Sequence, residues 1–400
     1  MEYTGPLQHT ITGSMVDQFL LWAVEQGASD IIFRANDPPW IQIDGHWQLA
    51  NKTFSIAQSE TMLLTNYLAG QEHKAGNVQR GMSADFAYAL RVPNCRGVMQ
   101  RFRVNVTSSN TGHYIVLRAL PRVLPKIEDL DLEAALIKHL YPANGIVLVS
   151  GVMGSGKSTL LAALIHSAIL RRDLGGFGLG RQVLTLEQPI EFDFSELPYE
   201  QRSAPISQSE VGRHVESWAH GVRSMTRRKG EIVMVGEVRD YETLSAMLAI
   251  VEQGVTCYAT VHAQDVPQTV TRIINSFPDH ERSSVAQILK ANLRLIIHQR
   301  LVDQTNPKTY PTLNPNPKST SSEKGNLHFG RVALREFLVI DEDLRHKLYS
   351  TPYDQLLPTL GLAVQDLGQS LAKAAMIKYK AGLISLDTLE SLTAKAETSA

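Results

Sequence analysis

Three glycines, a lysine and four hydroxyl residues follow a short apolar run in the segment "VLVSGVMGSGKSTL", residues 147 to 160. The spacing matches the Walker A pattern G-x-x-x-x-G-K-[S/T] at Gly151, Gly156, Lys157 and Ser158, between a predicted strand and a predicted helix. Glycines let several backbone N–H groups turn inward around a polyphosphate, and the following helix adds its N-terminal N–H groups and its dipole. The segment therefore predicts a P-loop that binds a nucleoside triphosphate; a chance glycine-rich turn is the alternative.

Each side chain of this loop has an expected task. Lys157 would neutralise the β- and γ-phosphate oxygens, and the Ser158 hydroxyl would hold Mg²⁺. The predicted nucleotide-binding residues of the loop are Gly151, Gly154, Ser155, Gly156, Lys157, Ser158 and Thr159. ATP and Mg are therefore the expected cofactors.

Hydrolysis also needs groups that orient water, and four candidates stand at or just beyond predicted strands. Glu237 in "EIVMVGEVRD" can face the γ-phosphate and orient a water molecule; a solvated strand-end glutamate is the alternative. Glu187 and Glu191 in "VLTLEQPIEF" are candidates for Mg²⁺ hydration or water polarisation. His262 ends "YATVH" and could sense the γ-phosphate, although a lone histidine there is more often structural. We therefore predict an ATP hydrolase.

The elements that must position these residues begin at about residue 131, where short apolar strands alternate with helices. The runs "GIVLVS", "QVLTLE", "EIVMVGE" and "VTCYATVH" are continuously hydrophobic, which is typical of parallel strands covered on both faces. The candidate residues stand at their carboxyl ends, where α/β sheets bind ligands. The pattern predicts an α/β ATPase domain over residues 131–350, with a flexible, proline-rich loop at 303–326 and a helical segment at 351–400.

The chain before this domain has mixed helical and strand patterns. "MVDQFLLWAVEQGA" has helical spacing, and "DIIFRANDPPWIQIDGHWQLA" predicts two short strands and a third joined through Asp44-Gly45. "RFRVNVTSSNTGHYIVLRAL" alternates across a polar turn, as hairpins do. We expect a smaller α+β domain over residues 1–119 and a linker over residues 120–130.

The composition is ordinary for a soluble globular chain, with 43% hydrophobic and 20% charged residues. Thirty-nine basic and 40 acidic residues nearly cancel, so nucleic acid is not expected as a direct substrate. Two distant cysteines, Cys95 and Cys257, favour a reducing compartment. Neither a signal peptide nor an apolar run near the roughly 20 residues of a membrane span is evident. We expect a cytoplasmic protein whose contact with the inner membrane is at most peripheral.

The order of motifs resembles that of the secretion ATPases, which drive type II secretion, type IV pili and type IV secretion. The P-loop is followed by "LTLEQPIEF", "SQSEVGRH", "VRSMTRRKGEIVMVGEVRD" and "ATVH", and "ASDIIFRANDPPWIQIDGHW" precedes it. "SQSE", "RRK" and "RVALREFLVIDEDLR" look most like the DotB/TraJ branch of type IVB secretion and conjugation. The resemblance covers roughly residues 15–340. It implies a homohexameric ring whose protomers join a sensor-like N-terminal domain to a RecA-like P-loop domain.

The resemblance also implies roles for individual residues. Glu237 would be the Walker B glutamate, Glu191 the acidic-box glutamate and His262 the second histidine of the histidine box. Arginines that reach the nucleotide from the N-terminal domain correspond to Arg101, Arg103 and Arg118. Arginines of the ring interface correspond to Arg223 and Arg227.

The chain departs from the family pattern at several positions. Gln188 replaces the aspartate of the acidic box, Val255 replaces the first histidine of the histidine box, and Gly230-Glu231 replaces Pro-Asp before the Walker B strand. The P-loop lysine and serine and the Walker B glutamate are retained. Hydrolysis is therefore expected.

The resemblance implies a hexameric cytoplasmic ATPase that couples hydrolysis to domain motion, powers type IVB secretion or conjugative transfer, and works with inner-membrane components. One alternative is a type IV pilus retraction motor. A second is a nucleotide-gated structural ring with little hydrolysis, motivated by Gln188 and Val255. A nucleic-acid translocase is a third, against which the near-neutral charge and the lack of an aromatic-basic stretch weigh.

Overall fold

The computed structural model describes Tyr3, Cys95 and residues 12–43, 46–52, 54–71, 74–93, 98–174, 180–238, 240–305 and 330–397. Contacts divide the chain into two compact units. The first comprises residues up to Val123 together with Glu191–Glu196, and the second comprises the other described residues. This division lies inside the segment 120–130 that the sequence predicts as a linker. The predicted Asp44-Gly45 turn, and the predicted flexible loop from residue 306 onward, lie outside the described residues.

The first unit contains a six-stranded sheet of order β3-β2-β1-β6-β5-β4, with antiparallel neighbours. Its strands are β1 (Ala28–Arg34), β2 (Trp40–Ile43), β3 (His46–Leu49), β4 (Ala84–Arg91), β5 (Met99–Ser109) and β6 (Gly112–Ala119). Its helices are α1 (Gly13–Glu25), α2 (Gln58–Ala69) and α3 (Lys74–Gln79). The predicted first helix, the three short strands, the hairpin and the α+β class are confirmed.

Strand β5 shows how the sheet separates its core from its polar face. Phe102, Val104 and Val106 are fully buried, whereas Arg101 and Arg103 lie on the opposite, partly exposed face. This alternation follows from the two-residue period of a strand. The core against which the apolar face packs includes α1, whose Phe19 and Leu20 are among its buried residues. The arginines are therefore kept on the face away from that core.

The second unit contains a seven-stranded sheet of order β13-β12-β7-β11-β10-β8-β9. Its strands are β7 (Gly145–Ser150), β8 (Val183–Glu187), β9 (Ile206–Glu210), β10 (Ile232–Val235), β11 (Thr256–Val261), β12 (Leu293–Asp303) and β13 (Arg331–Val339). Its helices are α4 (Ala134–Ile137), α5 (Lys157–Leu170), α6 (Trp218–Arg227), α7 (Tyr241–Val251), α8 (Val266–Asn275), α9 (Asp279–Asn292), α10 (Glu342–Ser350), α11 (Leu356–Asp366), α12 (Leu371–Lys380) and α13 (Leu386–Glu397).

Neighbouring strands from β12 to β9 are parallel, and only β13 runs antiparallel to its neighbour. Every residue of β7, β8, β10 and β11 is buried, as expected where helices cover both faces of a parallel sheet. The predicted α/β class is thereby confirmed. Parallel strands end at one edge, here called the carboxyl edge, at Ser150, Val261, Val235 and Glu187. The residues that follow these strand ends form the candidate site.

The helical segment predicted at 351–400 contains α11, α12 and α13 within the described residues. Ala374 and Ala375 of α12 pack against Val332 and Leu334 of β13 in a small apolar cluster. None of the helices that the structure describes is both long and apolar enough to cross a lipid bilayer.

Candidate active site

The loop between β7 and α5 has a backbone that only glycine adopts readily. Gly151, Gly154 and Gly156 have φ angles of 146°, 74° and 84°. A Cβ atom at Gly151 would lie 2.3 Å from the carbonyl oxygen of Gln299, so no side chain fits there. Gly156 precedes α5 without a side-chain cap, which leaves the N–H groups of the first helical turn to a ligand.

The polar side chains of this loop fit a polyphosphate. Lys157 Nζ donates to the carbonyl oxygens of Gly151 and Val152, each at 2.8 Å, so the ammonium group is folded over the loop. The Ser155 hydroxyl is buried and has no hydrogen-bond partner among the residues that the structure describes. An unsatisfied buried hydroxyl is costly, and a phosphate oxygen beside it would accept a hydrogen bond from it. The loop therefore fits the nucleoside triphosphate that the sequence predicts.

Ser158 and Thr159 occupy the first turn of α5. Ser158 is exposed and Thr159 is partly buried. The Ser158 hydroxyl is the oxygen that this loop would give to Mg²⁺, a cation that takes protein and phosphate oxygens as ligands. When bound, the cation would neutralise charge on the phosphate oxygens.

Glu237 and His262 follow the neighbouring strands β10 and β11. His262 Nε2 lies 3.2 Å from Glu237 Oε1, and both side chains are partly exposed. Gly236 sets this geometry, because its N–H donates to the Leu186 carbonyl oxygen at 2.7 Å and its carbonyl accepts from Thr260 Oγ1. Strand β11 also pairs with β7, which leads into the P-loop. The structure thus brings the predicted water-orienting glutamate and the predicted phosphate-sensing histidine together at the carboxyl edge.

Glu187 also ends a strand at this edge, but its carboxylate is buried and already engaged. Its Oε1 accepts from Thr185 Oγ1 at 2.7 Å and from Gln208 Nε2 at 3.0 Å. Gln188, which stands where the family has aspartate, accepts from Trp218 Nε1 at 3.2 Å, and the Gln188–Pro189 peptide is cis. These contacts tie the acidic-box segment to β9 and α6.

Four of the predicted site residues belong to the first unit: Glu191, Arg101, Arg103 and Arg118. Arg103 of β5 pairs in register with Arg118 of β6, and Arg101 lies two residues along β5 on the same face. Arg118 Nε donates to Asp30 Oδ1 at 2.8 Å. Burial raises the pKa of Glu196 above its ordinary value, and the positive charge of Arg101 counteracts this effect. The three arginines therefore share one face of the first sheet.

Arg223 and Arg227 lie one helical turn apart on α6, and both are exposed. Within the described ranges, no ion pair involves either of them. Their predicted place at a ring interface stays a prediction.

The missing histidine at position 255 does not belong to the carboxyl edge. Val255 precedes β11, and His262 follows it. The two positions are seven residues apart, and since a strand rises about 3.3 Å per residue, they are separated by about 23 Å. The substitution at Val255 therefore leaves the Glu237–His262 pair intact.

Strand β12 supplies polar residues near the loop that the sequence did not single out. His298 Nδ1 lies 3.3 Å from Ser150 Oγ. Burial, with the positive charges of Arg300 and Lys157, lowers the pKa of His298 to about 4, so its imidazole is neutral at pH 7. Gln299 follows it and contacts the P-loop. The signal that could have found both is the polar triplet His298-Gln299-Arg300, which interrupts the apolar residues of "LRLIIHQRLV".

Comparison with known proteins agrees with this geometry. The family model described as Type II/IV secretion system protein matches residues 8–389 of the chain. The type IV pilus retraction ATPase PilT of Pseudomonas aeruginosa is 30% identical over 287 residues, covering 72% of this chain and 78% of that protein. The X-ray structure of the Legionella pneumophila ATPase DotB matches with a TM-score of 0.77 at 32% identity, covering 97% of each chain. The crystal structure of the pilus retraction motor PilT with bound ADP matches with a TM-score of 0.75 at 26% identity, covering 94% of this chain and 96% of that one.

Proposed function

The chain belongs to the type II/IV secretion system protein family, and on that premise we propose that it is a hexameric ATPase that powers type IVB secretion or conjugative transfer. The resemblance predicted from motif order is confirmed, and so is a RecA-like ATPase domain joined to a smaller N-terminal domain. The named relatives are secretion and pilus ATPases, and the chain is an ATPase of their family.

The observation that carries the proposal is the Glu237–His262 pair at the carboxyl ends of β10 and β11, since β11 lies between β10 and the P-loop strand β7 in one parallel sheet. A carboxylate at that edge can accept a proton from water or orient it for attack on the γ-phosphate. His262, at 3.2 Å, restrains that carboxylate.

Binding and hydrolysis follow from these residues. Lys157 would exchange its bonds to the Gly151 and Val152 carbonyl oxygens for bonds to phosphate oxygens, while the loop N–H groups and the Ser155 hydroxyl surround the phosphates. Glu237 would then hold the attacking water and take up its proton.

We expect ATP hydrolysis to be coupled to motion of the N-terminal domain. The row of Arg101, Arg103 and Arg118 would close over bound nucleotide and stabilise charge on the transferred phosphoryl group, with residues 120–130 as the hinge. Arg223 and Arg227 would meet a neighbouring protomer of a hexameric ring, because both are exposed on α6. The proposed location is the cytoplasmic side of the inner membrane, beside the transport components.

The match to the DotB structure over 97% of each chain supports a transport role, and the 30% identity to the retraction ATPase PilT keeps pilus retraction as the alternative. The test is a deletion strain complemented with the wild-type gene or with Lys157→Ala. We expect loss of protein or plasmid transfer, restored by wild type only. Normal transfer with lost twitching motility would favour the retraction motor.

A nucleotide-gated ring with little hydrolysis is the second candidate, because the Gln188 amide cannot replace the family's carboxylate as a base and instead binds Trp218. Hydrolysis that DNA or RNA strongly stimulates would favour a nucleic-acid translocase. Light scattering of the full chain with and without ATP would test the hexamer.

A further inference from the structure

One residue of β12 holds both ends of the phosphate loop. The backbone carbonyl oxygen of Gln299 lies against Gly151, where an added Cβ would come within 2.3 Å. The side-chain Nε2 of Gln299 donates to the carbonyl oxygen of Ser155 at 2.7 Å. Gln299 is only 2% exposed, so water does not compete for these contacts. The fifth residue of the loop is therefore hydrogen-bonded to Gln299, and the first residue packs closely against the backbone of the same residue.

Arg335 determines which way the Gln299 amide points. The two residues are paired in the β12–β13 register, and Arg335 Nε donates to Gln299 Oε1 at 3.0 Å. A guanidinium group can only donate, so the amide oxygen must face it and the amide nitrogen must face the loop. A flipped amide would place two donors together at Arg335 and two oxygens together at Ser155. Arg335 therefore keeps the donor on the side of the loop.

Arg335 is itself fixed by residues that follow the boundary between the two units. Its Nη2 donates to the Leu130 carbonyl oxygen at 2.7 Å, and its Nη1 donates to the Asp131 carbonyl oxygen at 3.0 Å. Glu133 Oε2 lies 3.5 Å from Nη1 and supplies the opposite charge. Arg335 is 1% exposed, and a guanidinium so deeply buried is stable only with such partners. The orientation of Gln299 is therefore anchored by the residues around position 131.

We propose that Gln299 and Arg335 are positioning residues of the P-loop. Gln299 turns the Ser155 carbonyl away from the phosphate position, so that loop N–H groups rather than carbonyl oxygens face the ligand. Arg335 acts through Gln299. Neither residue touches the nucleotide, and the inference rests on the proposed function, since it requires that this loop binds ATP.

The decisive variant is Gln299→Met, which keeps the side-chain length and removes both amide contacts. Its matched control is Tyr258→Phe: Tyr258 of β11 is also fully buried, and its hydroxyl donates to the Leu140 carbonyl oxygen at 2.7 Å, so the control removes one buried hydrogen bond of the same unit. ADP affinity is measured by titration of the full chain, alongside the thermal midpoint without nucleotide. We expect both variants to lower the midpoint. Only Gln299→Met should weaken ADP binding, by about tenfold, the size of one buried hydrogen bond.

Two further variants separate positioning from packing. Gln299→Glu keeps the shape and the bond from Arg335 but cannot donate to Ser155, so it should weaken ADP binding at least as much as Gln299→Met. Arg335→Met should act in the same direction, and its effect should not add to that of Gln299→Met, because both act through one contact. If Arg335→Met does not fold, the glutamate variant still decides, since it retains the buried arginine and its partners.

The proposal is overturned if Gln299→Met and Gln299→Glu bind ADP within about twofold of wild type while Lys157→Ala loses binding. It is also overturned if Tyr258→Phe weakens ADP binding as much as Gln299→Met, because general destabilisation would then explain both. Wild-type protein that binds neither ADP nor ATP would overturn the proposed function, and this inference with it. That outcome is distinct from the other two.

Discussion

Replacing Gly151 by alanine tests whether the shape of the P-loop is dictated by its contact with β12. Gly151 has φ of 146°, and the new Cβ would lie 2.3 Å from the Gln299 carbonyl oxygen and 2.5 Å from Ser155 Oγ. A backbone atom cannot rotate away, so the loop or β12 has to move. Gly154→Ala is the matched control, because Gly154 has φ of 74° and nothing lies within 4 Å of the Cβ position.

The expected cost of each substitution follows from these two environments. At Gly154 the only penalty is the left-handed conformation, about 1–2 kcal/mol for a residue with a side chain. At Gly151 the conformational cost is about 1–3 kcal/mol, and overpacking against a buried strand adds about 1–3 kcal/mol. We therefore expect Gly151→Ala to reduce the free energy of unfolding by about 4 kcal/mol and Gly154→Ala by about 1.5 kcal/mol.

The assay is urea unfolding of the full chain without nucleotide, so that ligand binding does not enter the comparison. Calorimetry identifies the transition that belongs to the ATPase unit. Equal losses in the two variants would refute the reasoning, since they would show that the contact between Gly151 and β12 has no energetic consequence. Wild-type stability of Gly151→Ala would refute the loop geometry itself.

Three further predictions concern other parts of the molecule. His298 has a folded-state pKa of about 4 against an ordinary 6.5, so its neutral form contributes stability above pH 6.5 that is lost as pH falls towards 4. Between pH 7 and pH 4 the free energy of unfolding should therefore fall by about 3 kcal/mol more in wild type than in His298→Gln. Parallel profiles of the free energy of unfolding against pH would contradict this. The double variant Arg101→Ala, Arg103→Ala should bind ATP but hydrolyse it at least about tenfold more slowly, because a guanidinium no longer stabilises the transferred phosphoryl group. A fragment starting at residue 124 should have the same defect. Full turnover in a folded variant would exclude closure by these arginines, and light scattering checks its assembly. Lys229, just after α6, has φ of 56°, a left-handed conformation that glycine adopts more readily than lysine. Lys229→Gly should therefore raise the free energy of unfolding by about 1 kcal/mol, and a loss of stability would show that the lysine side chain has a role.

The P-loop could be predicted from sequence because its determinants are local. The glycines, the lysine and the serine lie within eight residues, between a strand and a helix that the hydrophobic pattern already indicates. The proximity of Glu237 and His262 could be predicted in part, because both residues follow apolar runs and parallel strands end at one edge of a sheet. Their 3.2 Å separation needed the strand order, which the sequence does not contain.

The roles of other residues depended on partners distant in the chain. Gln299 and Arg335 are 36 residues apart, and nothing local marks them as neighbours. The sequence predicts that Glu187 polarises water. In the structure its carboxylate accepts hydrogen bonds from the Thr185 hydroxyl on the same strand and from the Gln208 amide on β9. From sequence, Val255 is a lost histidine of the histidine box. The direction of β11, however, places position 255 at the edge of the sheet opposite the P-loop.

Single-turnover hydrolysis of ATP by the full chain, with protein in excess over ATP, tests the central claim most directly. Wild type should convert bound ATP to ADP and phosphate. Glu237→Gln should bind ATP with nearly unchanged affinity and convert it about two decades more slowly, because the water-orienting carboxylate is gone. Glu191→Gln should show a milder loss of the same kind. Conversion at the wild-type rate by Glu237→Gln, or ATP binding retained by Lys157→Ala, would contradict the proposed site.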